Sequence, residues 1–174
     1  MKMQFTYNIF LIGFMGSGKS TVADYLCEKF DMDVVEMDQV IADRERMSIS
    51  DIFEKCGEPY FRDLETKLLV ELQEKTNTVV SCGGGVAMRE CNVAEMKKNG
   101  KVVLLTAKPE TILERVENNH DRPLLENNKT VAYIAELMEK RREKYEAAAD
   151  MIIETDGKSA QKICEEIIQR LGER

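Results

Sequence analysis

The sequence predicts an α/β protein of three layers, a five-stranded parallel sheet with helices on both faces, and three observations carry that reading. Short apolar runs occur five times, separated by stretches with helical periodicity. The first run leads into a glycine-rich octet, Gly13-Phe14-Met15-Gly16-Ser17-Gly18-Lys19-Ser20, which opens directly into a helical pattern. The length of 174 residues suits one domain, able to bury a core without disulfides or metals, and no linker divides it.

The elements follow in order. Ile9 to Ile12 is a continuous apolar run of the kind found in buried parallel strands. Val22, Ala23, Leu26 and Phe30 then share one face of a helix that begins at Gly18. Val34-Val35 forms a second strand that ends at Glu36-Met37-Asp38, and Gln39 to Arg46 reads as helix. Ser48-Ile49-Ser50-Asp51 has the form of a capping box and starts a short helix that stops at Gly57. Glu58-Pro59 opens a longer one, with Phe61, Leu64, Leu68, Leu69 and Leu72 at helical spacing. Thr78 to Ser81 is a third strand, running into Cys82 and Gly83-Gly84-Gly85, and Lys101 to Thr106 is a fourth. Pro109 begins a helix to about residue 117, and 118–128 is polar, turn-rich and aperiodic, the pattern of an exposed mobile loop. A helix from Thr130 to Ala147, a strand at Met151 to Ile153 and a helix from Ser159 to Leu171 complete the chain.

Composition narrows the function classes. The hydrophobic share of 43% and charged share of 33% are those of a soluble globular protein. Neither a membrane-length apolar stretch nor a signal-peptide pattern is present, so the expected location is cytoplasmic. The five cysteines are odd in number and form no C-x-x-C pair, which argues for reduced thiols. A net charge of −7 excludes a general nucleic-acid surface, because a polyanion calls for a basic one.

The octet matches every fixed position of the G-x-x-x-x-G-K-[ST] phosphate loop. Such a loop wraps a nucleoside triphosphate with backbone N–H groups, while Lys19 adds charge and Ser20 offers a hydroxyl to Mg²⁺. Strand ends in a parallel sheet share one edge, which gathers the other candidates beside the loop. Asp38, just past the second strand, either accepts a substrate hydroxyl's proton or caps the following helix. Glu36 projects to the same side and is placed to approach the metal. Three glycines after a buried strand are costly unless backbone must approach a ligand closely. Arg62 stands near a helix N-terminus, where the dipole disfavours cations, so it marks either an anionic ligand or a surface ion pair with Glu65. Arg122, beside Pro123 in the loop, is placed to swing over phosphates as an arginine finger does; His120 reads as solvent-exposed. Lys140-Arg141-Arg142 offers cations for a carboxylate, with Tyr145 one turn beyond Arg141, or else forms a solvated charged face.

Taken together, G-x-x-G-S-G-K-S-T, acidic residues closing strand two, D-I-F-x-x-x-G-E-x-x-F-R-x-x-E, G-G-G, R-P-L-L and K-R-x-x-x-Y, in that order from Ile9 to Tyr145, resemble the shikimate kinase family. The resemblance implies a P-loop fold of the nucleoside-monophosphate-kinase type, with strand order 2-3-1-4-5. It also implies phosphorylation of the 3-hydroxyl of shikimate with ATP and Mg²⁺, a step of aromatic amino acid biosynthesis, in a monomer that needs no nucleic acid or membrane. By the same resemblance Gly16, Ser17, Gly18, Lys19, Ser20 and Thr21 bind the nucleotide, with Ser20 on the metal. Arg115 stands near the adenine, Lys158 is a further nucleotide contact, and Arg122 closes over ATP from a lid at about 118–128. Asp38 is the base and holds substrate hydroxyls, with Lys19 and Arg122 the other catalytic groups. Arg62 and Arg141 bind the carboxylate, Gly83, Gly84 and Gly85 present backbone to the substrate, and Phe53 and Phe61 wall the pocket. Glu58 and Glu65 orient the arginines, and about 39–66 is the mobile substrate-binding segment.

Two positions depart from the family pattern. Glu36 stands where Asp is usual, so it is expected to serve the metal through water or with a shifted strand end. Asp156-Gly157-Lys158 replaces a longer basic segment. A gluconate or nucleoside-monophosphate kinase and a GTPase-like switch are the competing readings. The switch lacks an N-K-x-D guanine motif and a D-x-x-G after the third strand.

Overall fold

Alternating faces of the strands set the layers in the computed structural model, which describes residues 4–116 and 130–172. Strands β1 (Asn8–Ile12), β2 (Asp33–Glu36), β3 (Thr78–Ser81), β4 (Gly100–Thr106) and β5 (Met151–Glu154) pair in parallel in the order β2-β3-β1-β4-β5. Ile9 and Leu11 of β1 face helices α1 (Lys19–Phe30) and α8 (Ala160–Gly172), joining Val22, Leu26, Cys164 and Ile167 in one apolar cluster. Phe10 and Ile12 point the other way. They pack on α2 (Met37–Glu45), α3 (Ile49–Cys56), α4 (Glu58–Glu71), α5 (Glu90–Lys98) and α7 (Val131–Ala148). A third cluster joins Phe14, Ala107 and Ile134 to Ile112 and Val116 of α6 (Pro109–Val116). Each fully buried Ile, Leu or Phe in these clusters contributes about 1.5–3 kcal/mol.

The predicted fold class and strand order stand, and so do the Ser48 cap and the stop at Gly57. Ser48 accepts from the Asp51 amide at 3.1 Å, Thr130 from the Tyr133 amide at 3.1 Å, and α3 stops at Gly57 with φ 87°. Three readings change. Helix α2 begins at Met37 rather than Gln39, because Met37 is fully buried and draws the first turn onto the sheet. Asp38 therefore lies inside that turn and Glu36 holds the N-cap position, so the capping role read for Asp38 is wrong. The stretch 86–99 carried no predicted element, yet it holds a 3₁₀ turn at Val86–Met88 and then α5. The outer strands are also more open than a doubly covered sheet implies, with Val34 37% and Ile152 42% exposed.

All five cysteines are free thiols, Cys82 and Cys164 buried and Cys56 and Cys91 exposed. Among the described residues no helix is long and apolar enough to cross a membrane. The predicted lid at 118–128, with His120 and Arg122, lies outside the described residues.

Candidate active site

Strand order places the functional loops together. The chain leaves β1 toward β2 and β3 toward β4, so the loops after the neighbouring strands β1 and β3 flank a crevice at the carboxyl edge. The phosphate loop fills the first position and Gly83-Gly84-Gly85 the second. Gly16 (φ 82°) and Gly18 (φ 103°) take left-handed backbone that a Cβ disfavours. Gly18 caps α1 without a side-chain hydrogen bond, which leaves first-turn amides for an anion. Ser17 is buried and donates its amide to Phe14 O at 3.0 Å, tightening the loop. Lys19 folds back over it, with Nζ 2.7 Å from Gly13 O and 3.1 Å from Phe14 O.

Two cavities meet at Lys19 and Ser20. A smaller one of about 250 Å³ is bounded by Gly16, Gly18, Lys19, Ser20, Thr21 and Arg115. Arg115 is fixed there by donating to Gly16 O at 2.9 Å and Thr155 Oγ1 at 3.3 Å. A second of about 280 Å³ shares Lys19 and Ser20 and is walled by Glu36, Asp38, Gly83 and Gly84. Lys158 borders neither; its Nζ pairs with Glu166 at 2.9 Å.

The three glycines have a steric reason that the sequence did not reveal. A Cβ at Gly83 would stand 2.8 Å from Glu65 Oε2 and 2.9 Å from Asp38 Oδ1. At Gly84 it would stand 3.1 Å from Arg141 Nη1, and at Gly85 within 2.6 Å of Arg62 Nη2. Each missing side chain thus makes room for a different charged group. The close approach read from the triplet is made, in this structure, by the protein's own ions.

Those ions come from three helices. Arg62 of α4 binds Glu65 Oε1 at 2.8 Å and Glu58 Oε2 at 3.1 Å, and its guanidinium lies 5.8 and 5.3 Å from the ring centres of Phe53 and Phe61. Its partner Glu65 is wholly buried, so the alternative of a surface ion pair fails. Of the three adjacent cations on α7, only Arg141 turns inward. It is 8% exposed, lies over Phe14 at 5.7 Å and donates to Tyr145 Oη at 3.4 Å. Tyr145 in turn donates to Gly84 O at 2.5 Å. Lys140 and Arg142 form the solvated face with Glu136, Glu139 and Glu146.

Glu36 accepts from Ser20 Oγ at 3.1 Å, and burial pushes its carboxyl above the usual range against the lowering effect of the Ser20 and Ser81 hydroxyls. This hydroxyl and carboxylate are hard oxygen donors of the kind Mg²⁺ takes in small number alongside phosphate oxygens. The longer glutamate thus reaches Ser20, the hydroxyl that the sequence offers to Mg²⁺.

One positioning residue escaped the sequence reading. Asn92 of α5, fully buried, donates to Val86 O at 2.9 Å and accepts from Thr66 Oγ1 at 2.7 Å. It ties α4, which carries Arg62, to the turn that follows the glycines. No periodic or motif signal marks it.

Comparison with known proteins agrees with this arrangement. The family model described as Shikimate kinase matches residues 15–172. A shikimate kinase of Persephonella marina is 46% identical over 164 residues, covering 94% of this chain and 98% of that one. The structure of shikimate kinase from Acinetobacter baumannii in complex with shikimate superposes with a TM-score of 0.90 at 33% identity, covering 95% and 92% of the two chains. That of the Aquifex aeolicus shikimate kinase gives 0.81 at 39% identity, with 95% and 96% covered. The phosphate loop, the glycine turn and their inward arginines therefore belong to a chain of the shikimate kinase family.

Proposed function

We propose that the smaller cavity holds the phosphates of ATP, that the larger holds shikimate, and that the γ-phosphoryl crosses between them at Lys19 to give shikimate 3-phosphate. Shikimate kinases use ATP with Mg²⁺ and act in aromatic amino acid biosynthesis. The observation that carries this division of the site is the meeting of two cavities at Lys19 and Ser20. One is built of amides and cations, and the other is walled by two carboxylates, Glu36 and Asp38, and flanked by two guanidinium groups.

Arg62 and Arg141 grip the substrate carboxylate, each with a planar fork suited to bidentate pairing. Asp38 accepts hydrogen bonds from the hydroxyls and takes the proton of the 3-hydroxyl as its oxygen attacks the γ-phosphorus. The new O–P bond forms as the bridge to the β-phosphorus breaks, and ADP leaves. Lys19 neutralises charge on the transferring group, and Arg122 closes over it from the lid. Ser20 and Glu36 would hold Mg²⁺, which would supply neutralisation of phosphate charge there. The same reading places a monomer in the cytoplasm, without nucleic-acid partners, in keeping with the net charge of −7.

A coupled assay of ADP release tests the proposal. Turnover is expected with shikimate, and ATP binding without shikimate-dependent turnover would refute it. Arg62→Ala and Arg141→Ala are each expected to raise KM for shikimate about 10- to 150-fold, the worth of a charged hydrogen bond, with KM for ATP nearly unchanged. Equal losses toward both substrates would make these arginines structural.

A further inference from the structure

Glu65 is an unbalanced acid at the centre of the site. It is wholly buried, and of its two oxygens Oε1 takes the Arg62 donor at 2.8 Å. Oε2 is buried with no hydrogen-bond donor among the described residues. It stands 2.8 Å from the place a Cβ would take at Gly83, and Asp38 Oδ1 stands 2.9 Å from the same place, so the two carboxylates lie within about 6 Å of each other. Other groups act on it: Arg89 beyond α4, Cys82 past β3 and Tyr145 on α7, while Glu58 shares Arg62 with it, and Glu36 and Arg141 act on Cys82 and Tyr145 in turn. Burial, opposed by Arg62 and assisted by Asp38, pushes its carboxyl up to about 7.

Arg62 already spends three of its N–H donors on carboxylates, Nε and Nη2 on Glu58 and Nη1 on Glu65. The carboxylate of a bound substrate would make a third negative group around one guanidinium. Glu58 is 48% exposed in its side chain and can turn into water. Glu65 has no such exit. We propose that Glu65 takes up a proton from solvent as shikimate binds, releasing Arg62 to the substrate carboxylate and removing the negative charge that faces Asp38. The inference rests on the reading that Arg62 binds shikimate. Its consequence is that shikimate binding is linked to pH through a residue that need not touch the substrate. The direction follows from the sign: adding negative charge at Arg62 raises the carboxyl further, so protons are bound on complex formation above neutrality.

Titration calorimetry of the whole protein with shikimate, in buffers of different ionisation enthalpy, reads the protons exchanged. Uptake of about half a proton is expected at pH 7.5 for a rise of roughly one pKa unit, falling toward zero at pH 5.5, where Glu65 is already neutral. Glu65→Gln is expected to abolish the uptake and Glu58→Gln to retain it. The wild-type pH series stands even if the first variant fails to fold. Shikimate binding with no buffer dependence at pH 7.5, or undiminished uptake in Glu65→Gln, would overturn the inference and leave the proposed function intact. Absence of shikimate binding would overturn both.

Discussion

Asp38→Asn is expected to lower kcat by about 10²- to 10⁴-fold, the usual contribution of a positioned general base, while KM for ATP stays near its original value. Asparagine keeps the size of the side chain and some of its hydrogen bonds, so the loss isolates proton acceptance from shape. The position supports that separation. Asp38 lies in the first turn of α2, held there by the buried Met37, and its Oδ1 stands 2.9 Å from where a Cβ would sit at Gly83, in the cavity that both residues line. Steady-state kinetics with both substrates varied would measure it. A kcat within tenfold of the unaltered protein would show that the proton leaves by another route.

Gly85→Ala is expected to raise KM for shikimate about 10- to 100-fold, with a chain that still folds. The new Cβ would fall within 2.6 Å of Arg62 Nη2, a contact no real side chain tolerates. Arg62 cannot yield cheaply, since Glu58, Glu65, Phe53 and Phe61 hold it on its other sides. Overpacking of this kind costs about 1–3 kcal/mol, here as displacement of the Arg62 guanidinium. Gly172→Ala, with open space around its Cβ, is the matching control and is expected to leave both KM values unchanged. An unchanged KM in Gly85→Ala would show that Arg62 does not bind substrate from its observed position.

The phosphate loop was legible because its constraints are local. Backbone φ at Gly16 and Gly18 and the helix start at Lys19 are written in eight consecutive residues. The strands and most helix caps were legible for the same reason, through periodicity and through Ser48, Gly57 and Pro109. What the sequence concealed is tertiary. Adjacent cations on α7 look alike in one dimension, and only packing over Phe14 and Tyr145 turns Arg141 inward while Arg142 stays among glutamates. The triple glycine announced close approach, but the identity of the approaching groups depends on side chains 18 to 57 residues away. Helix α5 and the bridge through Asn92 gave no signal, because a buried amide that joins two elements has no spacing rule of its own.

A crystal structure of the chain with ADP, Mg²⁺ and shikimate is expected to show nucleotide and shikimate on opposite sides of Lys19. The substrate carboxylate is expected at about 2.7–2.9 Å from the guanidinium nitrogens of both Arg62 and Arg141, with the 3-hydroxyl at Asp38 and directed toward the nucleotide. Shikimate bound elsewhere, or with its carboxylate toward Lys19 and its 3-hydroxyl remote from Asp38, would rule out that division of the site.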